Sequence, residues 1–450
     1  MVVVAWFWSG DIVAGTEKNV ARRRLISQSS LGPKMDARVP ESHPFCCRIA
    51  KIPRAARTCL RPLAWLNRRV PPARPMLVSR LTARRFVRRT LGLDEPHPSV
   101  AAALAHHGYI QIDPINVCGR MHDLILRNRV ANYCAGDLHA FLHSPASAVR
   151  AGAEGGRPGF EHYLPGSGVL VAFPLDAWPY LVGGMSHRAR VPSLHWGKLT
   201  PREAALAERI LAEITARGPL ASDDFEHDGR ARSAWGTAGT LVKRVLEKLF
   251  AHGRLLIAAR PNFRRVYDLA ERILPAPVLA SPPRPEREVA RWTVRTKLRQ
   301  RRLTTLKRDE IPLVADCVQP VKIADAACPP LFCLSEDAPL LAEFQHRESA
   351  SEAAAPPRLL APLDPLIYDR RVTAALWDFA YTWEVYTPPP RRVRGYYALP
   401  VLAGTELVGH IDPKADRSKR KLEVVSRRVK RGVRLAPALA EFARWLGLDR

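Results

Sequence analysis

Between Tyr109 and Asp113 the chain reads Tyr-Ile-Gln-Ile-Asp, followed by Pro114. Alternation of this kind is strand-like, and residues i and i+2 of a strand project to the same side. Ile110 and Ile112 then share a face turned to a core, while Gln111 and Asp113 share the other. Pro114 restricts Asp113 to extended backbone and ends the strand, so the carboxylate stands where a ligand can reach it. A carboxylate can stabilise a developing positive charge or take a proton from water. A carboxamide beside it can donate to and accept from that water. The competing reading is that Asp113 caps the next helix and Gln111 is merely exposed.

Downstream, "PINVCGRMHDLILRNRV" (114–130) carries Arg120, His122, Arg127 and Arg129. These are candidate phosphate contacts or supports for the site; His122 reads equally as a satisfied helix histidine. Arg260, Arg264 and Arg265 in "RLLIAARPNFRRVYDL" fall at the tip of a predicted hairpin, in position to meet a polyanion. The run "KADRSKRKLEVVSRRVKR" (414–431) reads either as a track for a nucleic-acid backbone or as a solvated face. The aromatics of "YTWEVYT" and "GYYALP" read as core rather than as base-stacking groups.

The elements that must position these residues form several units. Over 78–145, "LTARRFVRRTLGL" has helical spacing, "HPSVAAALAHHG" opens near Pro98 and stops at Gly108, and a helix follows the strand. Over 200–280, Thr200-Pro201 starts a helix ending at Gly218, "PLASDDFE" restarts one at Ser222, and "TAGTLVKRVLEKLFAHG" is a third, followed by a hairpin. Three helices and a hairpin suit a winged helix, a helix-turn-helix variant. The basic helix "REVARWTVRTKLRQRR" opens a third, degenerate unit of the same kind over 285–350. From 358 to 432 short alternating strands punctuated by Pro and Gly suggest a small β-barrel, closed by a helix over 433–450. Residues 151–199 read as a connecting segment and 351–358 as a linker. The fold class expected is α+β, with tandem winged helices and a C-terminal barrel-like domain.

Composition narrows the partner. The 450 residues carry 70 Lys+Arg against 43 Asp+Glu, a formal charge of +27. Acidic residues are not scarce, so this is a globular chain with surplus base, and the surplus points to nucleic acid. Residues 1–75 hold fourteen of the basic and four of the acidic side chains, so the remainder keeps +17. That first stretch lacks sustained periodicity. It reads as a disordered basic arm or as a start assigned too early, with Met76 as the true one; the abrupt onset of pattern after Met76 favours the second. Eight cysteines without a Cys-x-x-Cys pair argue against a zinc site and suit reduced thiols in a cytosol. No apolar run reaches membrane-spanning length. Walker, Gly-x-Gly-x-x-Gly, His-Glu-x-x-His and Gly-x-Ser-x-Gly patterns are absent. No metal or cofactor is expected, and any chemistry falls to ordinary side chains.

Residues 76–450 resemble the winged-helix DNA glycosylases of the YcaQ/AlkZ type, whose hallmark is Gln, an apolar residue, then Asp or Gln; "QID" at 111–113 fits the Asp version. An Arg-x-His after the active strand is matched by Arg120 and His122. "LLAPLDPLIYDRR", "WEVYTPPPRRVRGYYALPVL" and "LVGHIDPKADR" resemble further family blocks. Two places depart. Gly409-His410-Ile411-Asp412 stands where the family usually has Gly-Arg-x-Asp, and "FEHYLPGSG" (160–168) with "SHRARVP" (186–192) replaces a Glu-Tyr-Trp-like block followed by His. The departures bear on substrate range more than on fold. The resemblance implies a monofunctional glycosylase acting on N7-alkylguanine in double-stranded DNA, with interstrand crosslinks as a further substrate class. Gln111 and Asp113 would be its catalytic pair. The protein is expected to be a cytoplasmic, nucleoid-associated monomer. A non-catalytic winged-helix DNA-binding regulator is the rival reading, and an RNA-binding protein a third.

Overall fold

The computed structural model describes residues 74–144, 157–193, 196–226, 229–232, 238–346 and 356–449. Residues 1–73 and most of the expected linker at 351–358 lie outside these. The described residues all belong to one compact unit, of mixed α+β class.

The chain enters through a strand, β1 (Met76–Val78), and a helix, α1 (Arg80–Thr90). Sequence spacing groups these with the residues up to 150, but the structure does not. Met76 pairs in parallel with Val321 of β10 (Val318–Ile323). Phe86, Val87 and Leu91 share a core with Leu331, Cys333 and Leu376. The apolar face of α1 is real, but its partners lie far along the chain.

The site is carried by the next group. Helix α2 (Val100–His107) starts at Ser99, whose hydroxyl accepts the Ala102 N–H, and stops at Gly108 with φ of 80°, a conformation that costs glycine little. Then come β2 (Ile110–Gln111), α3 (Met121–Leu126), α4 (Asp137–His143), β3 (Gly159–Tyr163) and β4 (Leu170–Pro174). The strands form an antiparallel sheet in the order β2-β4-β3, with Ile110 opposite Ala172 and Gln111 opposite Val171. Residues 151–199 are therefore more than a connection: they supply the two strands that hold β2 in place. A helix, α5 (Trp178–Arg190), follows.

The second group repeats the order. Helix α6 (Pro201–Arg217) opens on a capping box of Thr200 and Glu203, which satisfies two otherwise orphan N–H groups. After β5 (Leu220–Ala221), Ser222–Asp224 form only a single 3₁₀ turn where a helix was expected. A short pair, β6 (Arg230–Arg232) and β7 (Ala238–Thr240), leads into α7 (Leu241–Ala251), then β8 (Leu255–Ala259) and β9 (Val266–Leu269). The sheet order is β5-β9-β8. Val245, Leu246 and Leu249 of α7 pack with Phe160, Tyr163 and Phe173 of the first hairpin in one core, so the two groups are not separate domains. The third group has α8 (Glu286–Arg301), β10, β11 (Leu331–Leu334) and α9 (Ala338–His346), with Thr304 bridged to Phe332.

The C-terminal part corrects one expectation. Strands β12 (Arg358–Leu359), β13 (Leu399–Ala403), β14 (Glu406–Asp416) and β15 (Lys421–Val429), with α10 (Arg370–Trp377) between the first two, form an open antiparallel meander in chain order. It is not a barrel: among the described residues β12 and β15 do not pair with each other. Instead of closing on itself, its apolar face is covered from outside. Leu399, Val401 and Ile411 pack against Met121 and Leu124 of α3 and Phe442 of α11 (Ala436–Trp445).

Candidate active site

The strand face divides as its alternation requires. Ile110 and Ile112 are buried among Leu104, Leu126, Leu138 and Ala172. Regular pairing ends at Gln111, and the Ile112 N–H makes one further bond, to the Leu170 carbonyl at 2.9 Å. Gln111 and Asp113 are both half-buried. The Gln111 carboxamide makes no hydrogen bond to another described residue, although its backbone is fixed by β4. One Asp113 oxygen accepts the Ile115 N–H at 2.9 Å and so caps the turn that follows Pro114. The other oxygen takes no bond from a described residue. The local-cap reading is thus half right: one oxygen does structural work and one is left over. Burial pushes the Asp113 carboxyl above its usual range, and the Ile115 N–H opposes that shift in part.

The C-terminal part supplies what lies opposite. Gln111 lines a cleft with His107, Gln300, Arg301, Leu363 and Tyr368. The Gln300 amide donates to the His107 carbonyl at 2.9 Å, tying the end of α8 to the approach to β2. The loop 114–119 is clamped from the same direction. Tyr397 donates its hydroxyl to the Gly119 carbonyl (3.3 Å), Arg417 donates to the Asn116 side chain (2.8 Å), and the Ala415 N–H reaches the Val117 carbonyl (3.1 Å). Asp113 contributes to the field that raises the Tyr386 and Tyr397 hydroxyls, after burial itself.

The basic residues singled out in the sequence have separate fates. Arg129 is fully buried and makes a two-pronged ion pair with Asp364 at 2.6 and 2.8 Å. Arg260 is likewise buried in a bidentate pair with Glu161 of β3, at 2.7 Å from Nε and 2.5 Å from Nη2. Neither reaches solvent, so neither is placed to touch a phosphate; each ties two parts of the chain together. Arg127 docks α11, with Glu441 at 2.8 Å and its guanidinium over Phe442 and Trp445. Arg265 lies partly buried over the Phe250 ring. Arg264 is exposed and spans Asp223 and Asp224 at 3.4 Å each. Arg120 is half-buried, and its guanidinium carbon sits 4.4 Å from the centre of the Phe263 ring.

Phe263 explains the inward turn of the hairpin tip. Asn262 and Phe263 have φ of 48° and 66°, a strained region for residues other than glycine. The bend drives the Phe263 ring between Arg120 and Arg260, stacked on His122 at 5.9 Å and beside His139 at 5.4 Å. His122 is fully buried, and burial pushes it down to about 3. It is a neutral ring at neutral pH and no cationic phosphate ligand. Burial would raise Glu161, but Arg260 and His143 outweigh it and hold the carboxyl well below the usual range.

Sequence reasoning missed Glu161, Phe263, Asp364, Glu384 and Asp412. Two of these had a signal. Asp364 sits in "APLDPL" and Asp412 in "GHIDP", each an acidic residue inside an apolar run, the pattern that also exposed Asp113. The Asp412 carboxylate accepts the N–H groups of Tyr396 and Tyr397 at 3.0 and 2.9 Å.

With the geometry in hand, the fold can be compared with solved ones. It is similar to that of the Streptomyces sahachiroi DNA glycosylase AlkZ, with a TM-score of 0.50 and 17% identity over 83% of this chain and 98% of that one. At that identity the likeness speaks for the fold alone. The profile described as DNA glycosylase AlkZ-like matches residues 104–447, most of the chain and both halves of the site. The chain therefore belongs to the AlkZ-like family of DNA glycosylases.

Proposed function

We propose that this chain is a monofunctional DNA glycosylase that hydrolyses the N-glycosidic bond of N7-alkylguanine in duplex DNA, with interstrand crosslinks at the same atom as a further substrate. The three sheet groups are read as winged-helix units, the first now including 157–174. An N7-alkylated guanine carries a positive ring charge and leaves without much help from an acid. The barrier lies in the oxocarbenium-like sugar that develops as the bond breaks. The leftover oxygen of Asp113 is placed to stabilise that charge or to take a proton from the attacking water. The Gln111 carboxamide, with no hydrogen bond to a described residue, can hold the water by donating and accepting at once. Arg120 is the candidate phosphate contact near the pair. His122, neutral and stacked on Phe263, supports the site from beneath, as Arg127, Arg129 and Arg260 do by tying its frame.

One observation supports the reading: a half-buried carboxylate with one oxygen fixed and the other taking no bond from a described residue, two positions along from a half-buried amide whose side chain bonds no described residue either. The test is base release from a duplex carrying one 7-methylguanine, with the full chain and with Asp113→Asn and Gln111→Ala. Release by wild type and loss in the Asp113 variant are expected. Tight DNA binding without release from this or a bulkier N7 adduct would favour the non-catalytic regulator instead.

A further inference from the structure

Five of the seven exposed large hydrophobic residues among those described lie together: Tyr386, Val393 and Tyr396 on one loop, and Val424 and Val425 on the neighbouring β15. The loop, 384–396, touches β15 through the Ser426 hydroxyl, which donates to the Arg394 carbonyl at 3.2 Å. These aromatics were expected to be core. Tyr381 and Tyr397 are, but Tyr386 is 50% and Tyr396 38% exposed.

The loop is built to hold that exposure. The buried Glu384 carboxylate accepts the N–H groups of Val393, Arg394 and Gly395 at 2.8, 2.8 and 3.3 Å. Gly395 has φ of 127°, and a Cβ there would fall 2.2 Å from Asp412 Oδ2. Two inward carboxylates thus gather five successive backbone donors, from Val393 to Tyr397, and Pro388–Pro390 stiffen the far side. Ordering cost is met in advance, as suits a recognition surface. The rim is cationic: Arg391 is exposed and makes no ion pair with a described residue, and Arg392 lies 4.8 Å over the Tyr396 ring. Through Tyr397 the loop is fastened to Gly119, at the far end of the loop that leaves Asp113.

Resting on the glycosylase reading, we infer that the loop 384–396 is a wedge that enters duplex DNA beside the lesion. Tyr386, Val393 and Tyr396 take up the stacking surface exposed when the damaged nucleotide leaves the helix, and Arg391 and Arg392 meet the flanking phosphates. Apolar and aromatic side chains that part a base step, flanked by arginines, are a recurrent way to open a duplex. The charge identifies the partner as DNA rather than a second copy of this +27 chain.

The test uses the full chain and a duplex with 2-aminopurine next to a single 7-methylguanine. Wild type should raise the 2-aminopurine fluorescence on binding, and Tyr386→Ala and Tyr396→Ala should lose that rise. Single-turnover base release by Tyr386→Ala should fall about tenfold or more on the duplex, far less on a single strand with the same lesion, and recover in Tyr386→Phe. Unchanged fluorescence and release in both alanine variants would overturn the wedge, as would equal losses on duplex and single strand. If wild type releases no base, the glycosylase reading fails, and the fluorescence rise still decides the wedge by its loss or survival in the variants.

Discussion

Two polar clusters sit within the same apolar framework and differ in one respect. At the hairpin tip, Glu161 gives both oxygens to Arg260 and one also to His143, at 2.9 Å. At the end of β2, Asp113 gives one oxygen to a backbone N–H and the Gln111 side chain bonds no described residue. Residue type does not separate the two: both hold a carboxylate amid apolar neighbours. Completeness does. A buried charge whose partners are all present is a tie, expensive to break from one side. One with an open valence has kept capacity for something that arrives later.

The sharpest way to break this contrast is Asp113→Asn. Base release from a 7-methylguanine duplex should fall by about two to three orders of magnitude, while the asparagine oxygen can still accept the Ile115 N–H, so the melting temperature should not drop. Glu161→Gln should do the reverse. Leaving the Arg260 guanidinium buried without its counter-charge should cost about 3–5 kcal/mol of stability, read by denaturant unfolding. If Glu161→Gln were harmless and Asp113→Asn unfolded the chain, the roles would be exchanged. Gln111→Ala, which removes the amide proposed to hold the water but no charge, should lower release by roughly ten- to a hundredfold, the scale of positioning and general-base effects.

Acidity gives a subtler measure. Burial raises the Asp113 carboxyl, so its folded value lies above its unfolded one. Its contribution is therefore most favourable below the unfolded value and is lost as pH rises through the folded one. Asp113→Asn should accordingly be slightly more stable than wild type at neutral pH, and the advantage should vanish below the ordinary carboxyl range. Base release, which uses the ionised form, should fall on the acid side at a pH above that range. The smallest effect should come from Arg264→Ala. Its pairs are exposed and 3.4 Å long, so stability should shift by no more than about 0.5 kcal/mol.

Local pattern made one half of the site legible. Alternation set Ile110 and Ile112 against Gln111 and Asp113, and Pro114 set the strand end. Helix starts at Ser99 and Thr200 and the stop at Gly108 were also written in nearby residues. What failed involved distant partners. The surplus of arginine was read as a DNA surface, yet Arg129 and Arg260 spend their charge on Asp364 and Glu161, 235 and 99 residues away, and no periodicity encodes such pairings. The barrel failed for a related reason: alternating strands announce a sheet, but whether it closes depends on what covers its faces, here α3 and α11. The tyrosines of 381–397 show the same limit in part, because the Asp412 carboxylate that holds the Tyr396 and Tyr397 N–H groups lies outside the segment, on β14.

The pairing of β1 with β10 bears on how the chain is made. Met76 must wait for Val321, 245 positions later, before the apolar face of α1 can be covered by the strands it packs on. At a synthesis rate of about 5–20 residues per second, that face emerges from the ribosome on the order of ten seconds or more ahead of its partners. Contacts of such separation also slow folding after release. Phe86, Val87 and Leu91 are thus open to chaperone capture or misassociation while the chain is young, before β10 and β11 exist to cover them.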